Sequence, residues 1–236
     1  MAGLDVETFL SPVSADAPFG PDLDLEGDLD FMNFVARAEG LLPQSFLSFD
    51  RASIDYKAEN AAIDALLTRT RDLRLVVFHA KFAILNRELP AFAADLEVIA
   101  AALERAWVDV HPRGEGNDYL MRVVSVASLD DVPTCVMPLQ FAPLVETRRS
   151  GPISWRAVQI ADGKVTAREG EPVIDAGAIE RAFLEVDLPD LIECRDRFLA
   201  VAAAAERIDA ASLEHGDYDT RISLERLAAL ARAIAE

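Results

Sequence analysis

Cysteine, lysine, histidine and aromatic side chains are all scarce in this chain of 236 residues. Two cysteines, Cys135 and Cys194, are too few and too far apart for a disulfide framework or a cysteine-type zinc site, and they fit the reduced thiols of a cytoplasmic protein. Lysine occurs only as Lys57, Lys81 and Lys164, so the basic complement is almost all arginine. Long apolar runs are missing as well. The longest uncharged stretch, residues 132–145, has 14 residues and is broken by Pro133, Pro138 and Pro143; a spanning helix needs about 20. The first residues carry neither a basic segment nor an apolar one, which excludes a secretory signal there. Basic charge is the last deficit. Against 41 acidic residues stand 23 basic ones, a net charge of −18, which repels nucleic acid and anionic lipid alike.

What is present is enough apolar residue, 51%, for a core of ordinary size in one large domain or two small ones. The first 36 residues hold eight acids and no lysine or arginine, and Pro12, Pro18, Gly20 and Pro21 predict an irregular arm. A helix is expected over residues 28–39, with Phe31, Phe34, Val35 and Ala38 on one face and Gly40 as its C-terminal cap. Residues 41–52 read as a loop displaying Phe46 and Phe49. Residues 55–71 repeat Ile63, Leu66, Leu67 and Thr70 at helical spacing, with Asp55 at the N-terminal cap. Residues 72–88 carry two apolar stripes, one through Leu73, Val76, Val77, Ala80 and Ile84, the other through Leu75, Phe78, Phe82, Leu85 and Leu89. A helix apolar around most of its circumference belongs at the centre, and Leu75, Phe78 and Phe82 are expected to pack with Leu103 and Trp107. Residues 90–110 present Phe92, Leu96, Ile99, Leu103, Trp107 and Val110, with Pro90 in the first turn and Pro112 as a stop.

A further helix opens at Asn117 or Asp118 and is expected to turn Leu120, Val123, Val124 and Ala127 inward. Residues 130–145 allow only short helical turns. Residues 144–160 read as β-like around the turn Ser150-Gly151-Pro152, with Ile153, Trp155 and Ala157 alternating with polar residues. Helical periods return over residues 178–186, 190–210 and 223–236. The fold class expected is mainly α: a multi-helix bundle with a small β-hairpin-like insertion.

Catalytic chemistry finds little footing. His79 lies in the most apolar helix and reads as a satisfied packing residue; His111 ends a helix, where imidazole can bond the last carbonyls. His215-Gly216-Asp217-Tyr218-Asp219 lacks the frame of a calcium loop and reads as an interhelical connection. No phosphate loop, dinucleotide turn, nucleophile elbow or paired metal-ligand motif occurs. No catalytic residue, cofactor or metal site is therefore assigned. A helical hydrolase using His79, His111 or His215 with carboxylates is the enzyme alternative, and a pocket joining two histidines to carboxylates would support it.

One stretch reverses the charge. Residues 147–168 hold Arg148, Arg149, Arg156, Lys164 and Arg168 against one acid, Asp162. The bland reading is a solvated hairpin edge whose charges guard against aggregation. The functional reading is a partner interface at Arg148, Arg149, Trp155 and Arg156, because guanidinium and indole groups anchor interfaces. The acidic first 36 residues could also be its partner within the chain.

Several segments resemble the ImpA-related N-terminal domain of the TssA proteins of bacterial type VI secretion. Ser11-Pro12-Val13-Ser14, followed by Ala17-Pro18-Phe19-Gly20-Pro21-Asp22-Leu23, is similar to that family's opening. Thr70-Arg71-Asp72-Leu73-Arg74 resembles its helix start, and Trp107-Val108-Asp109-Val110-His111-Pro112 its helix end. Residues 122–130 resemble the next helix and Ala142-Pro143-Leu144 the turn after it. The likeness runs over residues 11–161 and more loosely to the end. It implies an ImpA-related helical domain with a hairpin over residues 1–165, and over residues 166–236 a further helical segment, packed on the first or leading to a missing C-terminal region. It also implies a non-enzymatic cytoplasmic assembly component, acting through protein contacts with baseplate, sheath or tube proteins, with self-association possible. A helical adaptor with an unrelated partner is the other binding reading.

Overall fold

The computed structural model describes residues 3–113, 118–216 and 218–236. Helices come first: α1 (Val6–Leu10), α2 (Leu29–Leu41), α3 (Tyr56–Leu67), α4 (Leu73–Leu85), α5 (Leu89–Ala106), α6 (Leu120–Ala127) and α7 (Met137–Gln140). An antiparallel hairpin, β1 (Pro143–Thr147) and β2 (Gly151–Ser154), is followed by α8 (Trp155–Ala161), α9 (Ala176–Glu185), α10 (Leu188–His215) and α11 (Glu225–Ala235). This is a mainly α bundle with a two-stranded insertion, as expected.

Part of the acid surplus is spent on helix starts. The carboxylates of Asp5, Asp28, Asp55, Asp72 and Asp175 each accept a backbone N–H in the first turn of α1, α2, α3, α4 and α9. Each such cap contributes about 1 kcal/mol. α4 is buried along all thirteen of its residues, which makes it the central element. Its two stripes serve different cores. Leu73, Val76, Val77, Ala80 and Ile84 join α5, α10 and α11 in the larger cluster, with Leu96, Leu103, Trp107, Phe198, Ile208 and Leu227. Leu75, Phe78, Phe82 and Leu85 join α2 and α3 in the smaller one, with Phe31, Phe34, Ile63 and Leu66. The expected single cluster of Leu75, Phe78 and Phe82 with Leu103 and Trp107 is thus corrected: opposite faces of one buried helix cannot share neighbours.

Other expectations change too. The arm is not wholly irregular, since α1 lowers Phe9 into the larger core. α2 runs through Gly40 to Leu41 with no glycine cap. Phe46 and Phe49 are half-buried against the smaller core, and the Phe46 ring lies 5.2 Å from that of Phe141. α6 is rotated from the face expected: Val123 and Ala127 do pack against the larger core, but Leu120 and Val124 do not. Leu120 is 61% and Val124 56% exposed, while Arg122 and Val126 are buried. Asn117, the other candidate start of α6, lies outside the described residues, as does Asp217.

α10 is the longest element, 28 residues. From Phe198 onward it supplies Phe198, Val201, Ala202, Ala205 and Ile208 to the larger core, where small alanines let α5 and α11 approach closely. Its first turns border a satellite cluster built from Val145, Ile153, Ile179 and Ala182 of the hairpin and α9.

Candidate functional site

The motif segments that are distant in sequence converge on one polar clasp at the start of α4. Arg74 is the hub: 8% exposed, it lies 2.7 Å from Asp72, 2.6 Å from Asp24 and 3.3 Å from Asp22, with its guanidinium 4.7 Å from the Phe31 ring centre. The acidic arm is thereby tied to the helix that heads the core. Burial pushes the Asp22 carboxyl up, but His111 and Arg74 outweigh it and hold it at about 2. His111 donates Nε2–H to the Gly20 carbonyl at 3.0 Å, and its backbone pairs with Arg71 and Leu73 at 2.9 Å each. Arg71 donates Nε–H to the Ser11 carbonyl at 3.1 Å, and the Thr70 hydroxyl donates to the Pro21 carbonyl at 2.8 Å.

Gly20 is required by the approach. At φ +67° a Cβ would stand 2.2 Å from the Arg69 carbonyl oxygen, a space and a conformation only glycine tolerates. On the far side Arg122 plugs the end of α5. Its guanidinium donates to the carbonyls of Trp107 at 2.6 Å, Val110 at 2.5 Å and Pro112 at 2.9 Å. It also lies 4.9 Å from the Trp107 ring centre and 4.6 Å from that of Tyr119. Burial lowers its pKa to about 10, which leaves it charged at neutral pH. The clasp spends its charges and donors on other parts of the same chain. It is a device for folding that gathers the motif segments in one place.

A cavity of about 670 Å³ opens between α3, α4 and the first residues, lined by Leu4, Tyr56, Lys57, Asn60, His79 and Asn86 among others. His79 Nδ1 lies 2.6 Å from Asp95, whose other oxygen accepts the Leu4 N–H at 3.0 Å. Burial raises the Asp95 carboxyl, against the pull of His79. The pair anchors the start of the chain to α5. His111 and His215 do not line this cavity: His111 sits in the clasp, and His215 lies 6.2 Å from the Trp107 ring. Among the described residues no group of three or more histidines, cysteines or carboxylates has the geometry to hold a metal ion. No helix among them is long and apolar enough to cross a membrane.

The basic stretch divides. Arg148 and Arg149 are exposed in the turn of the hairpin, where Val145 pairs with Ile153 and Thr147 with Gly151. The Thr147 and Ser150 hydroxyls are 2.6 Å apart, Ser150 N–H donates to Thr147 Oγ1 at 3.1 Å, and Gly151 takes φ +67°. Trp155 and Arg156 are not in a strand. Ser154 caps α8 by accepting the Ala157 N–H, which ends the alternation read as β. Trp155 is half-buried against the larger core. Arg156 is 9% exposed, bonded to Glu171 at 2.9 Å and to the Thr166 carbonyl at 3.0 Å. Trp155 thus leans on the core and Arg156 is paired within the chain, because the linker after α8 folds back and supplies a carboxylate; Arg148 and Arg149 are the more exposed members of the predicted interface. The acidic arm pairs with Arg69, Arg74 and Arg105, and no ion pair joins it to Arg148 or Arg149 among the described residues.

A search of curated proteins finds no match. Among solved structures the chain is similar to the N-terminal domain, including the conserved ImpA_N region, of the TssA component of the type VI secretion system from Burkholderia cenocepacia. The TM-score is 0.73 at 19% identity, over 98% of this chain and 90% of that one. At that identity the likeness establishes the fold, and it extends through α10 and α11. The model of the family described as "ImpA, N-terminal, type VI secretion system" matches residues 10–131. That span, more than half of the chain, contains the Arg74 hub, the His111 contact and the Arg122 plug, and by it the protein belongs to the ImpA N-terminal family of type VI secretion proteins.

Proposed function

We propose that this protein is a non-enzymatic assembly component of the type VI secretion machine. It works in the cytoplasm by contacting baseplate, sheath or tube proteins, without a cofactor or nucleic acid. In this reading residues 1–165 form the helical domain that carries the hairpin, and residues 166–236 support it. The observation that carries the reading is the hairpin turn: Arg148 and Arg149 are exposed and make no ion pair among the described residues, on a chain of net charge −18. Two exposed guanidiniums on an otherwise repulsive surface attract an acidic partner to one face and orient it.

The test is affinity capture from cells with an active secretion machine, with the recovered secretion proteins identified and quantified. Arg148→Glu combined with Arg149→Glu should leave the unfolding midpoint nearly unchanged, because exposed charges contribute at most about 1 kcal/mol. It should deplete the co-purified secretion proteins and remove most of the salt dependence of their binding. Undiminished recovery with an intact fold refutes the hairpin as the docking element.

A further inference from the structure

Beside the hairpin turn lies a groove of about 200 Å³. Thr147, Arg149 and Ser150 form one wall, Arg181 and Glu185 of α9 the other, and Ile174, Ala178 and Ala182 an apolar floor. Small-molecule and cofactor pockets run to about 300–1,000 Å³, so this one is the size of a side chain or two. We propose that it seats an acidic, partly apolar peptide segment of a partner protein, one carboxylate lying between Arg149 and Arg181 and a neighbouring aliphatic group on the floor. The proposal rests on the docking reading above and gives it an address.

Arginine usage carries the argument. Elsewhere most guanidiniums are engaged within the chain, by carboxylates at Arg74, Arg156, Arg207 and Arg221, and by backbone carbonyls at Arg71 and Arg122; Arg51, Arg87 and Arg168 are the exceptions among the described residues, and none of them lines this groove. With 41 acids to draw on, engagement is easy. Arg148, Arg149 and Arg181 nevertheless make no ion pair among the described residues, and two of the three line one groove. Arg181 and Glu185, one helical turn apart, are not ion-paired either. A planar guanidinium donates two parallel hydrogen bonds to a carboxylate, and two of them flanking a slot define where that carboxylate goes. The turn holds its shape without help, through the Thr147–Ser150 contact and Gly151, so little ordering cost remains at binding. A second copy of this chain is a poorer occupant, since two bodies of −18 repel.

The experiment is fluorescence anisotropy of the full chain with a labelled, end-blocked peptide alternating leucine with glutamate, set against the same peptide carrying glutamine. The glutamate peptide should bind roughly tenfold more tightly than the glutamine one, with an affinity that falls as salt rises. Arg149→Glu and Arg181→Glu should each weaken it by about tenfold with unchanged circular dichroism, and Ala178→Trp should block it while leaving both arginines in place. Equal binding of the two peptides overturns the proposal. So does a neutral effect of Arg181→Glu where the Arg148→Glu, Arg149→Glu pair still loses secretion proteins; the hairpin turn then docks its partner without the groove. If that pair also keeps its partners, the docking reading falls with it. Sedimentation that shows a dimer lost in Arg181→Glu would replace the peptide by a second copy and overturn the stated occupant.

Discussion

Replacing Arg122 by methionine should be among the most damaging single changes outside the apolar cores. The side chain is fully buried, and three carbonyls at the end of α5 depend on it. Methionine keeps most of the volume and supplies no donor. Each orphaned buried carbonyl costs about 1–3 kcal/mol, and water entering beside exposed Arg113 should relieve part of that. Against the loss stands the relief of no longer burying a guanidinium, which is several kcal/mol in the other direction. The balance is a net destabilisation of about 3 kcal/mol, with the two ring contacts adding up to about 1 kcal/mol. For a domain of this size that is a fall of roughly 6–12 °C in Tm. Urea unfolding followed by far-UV circular dichroism measures it. Arg122→Lys is the informative companion, because an ammonium keeps the charge and loses the planar fan of donors; it should recover less than half of the loss. A methionine variant within about 1 kcal/mol of the parent, or a lysine variant as stable as the parent, would refute the plug.

Phe82→Ala should cost about 3–5 kcal/mol by equilibrium unfolding. Because α4 separates the two cores, its effect should add to that of Leu103→Ala within about 0.5 kcal/mol; strong coupling would show that the cores are one. Gly20→Ala should destabilise by about 2 kcal/mol or more, through positive φ and the Arg69 carbonyl together, and hydrogen exchange should localise the loss to the arm. Asp22 gives a pH dependence. Its carboxyl falls from an ordinary value of 3.8 to about 2 on folding, so its contribution is complete above about pH 4 and is lost as pH drops towards 2. Stability of the parent should therefore fall more steeply over that window than that of Asp22→Asn, and parallel curves would remove Asp22 from the clasp.

The helical architecture was legible because most helices bury a regular stripe. α4 shows this best: two stripes on one segment implied burial on both sides, although periodicity alone could not say that they face different cores. For α6 the stripe holds at Val123 and Ala127 and fails at Leu120 and Val124, for a physical reason. Periodicity assigns apolar residues to the interior, whereas here the interior position belongs to an arginine whose partners are carbonyls of the preceding helix end. No side-chain pattern records a carbonyl's need for a donor. The strand assigned through Trp155 failed against a local signal that was available, since Ser154 at an N-terminal cap three residues before Ala157 competes with alternation. Arg156 was out of reach: its carboxylate partner lies 15 residues away across a chain reversal. The motif segments were visible as likenesses, but that they meet around Arg74 needed the fold.

α10 has a mechanical consequence. Twenty-eight residues at about 1.5 Å each make a rod of about 42 Å. One end is cemented among α5 and α11; the other carries the satellite of hairpin and α9 as cargo. A pull on the hairpin therefore reaches the larger core by two routes, along α10 and through Leu144 and Trp155 at the hairpin's base, and both bypass the clasp that secures the arm. The satellite can be strained or reshaped by a bound load without loosening the bundle that bears it. Its own cluster has only four buried apolar side chains among the described residues, so under tension it should yield before the rod detaches.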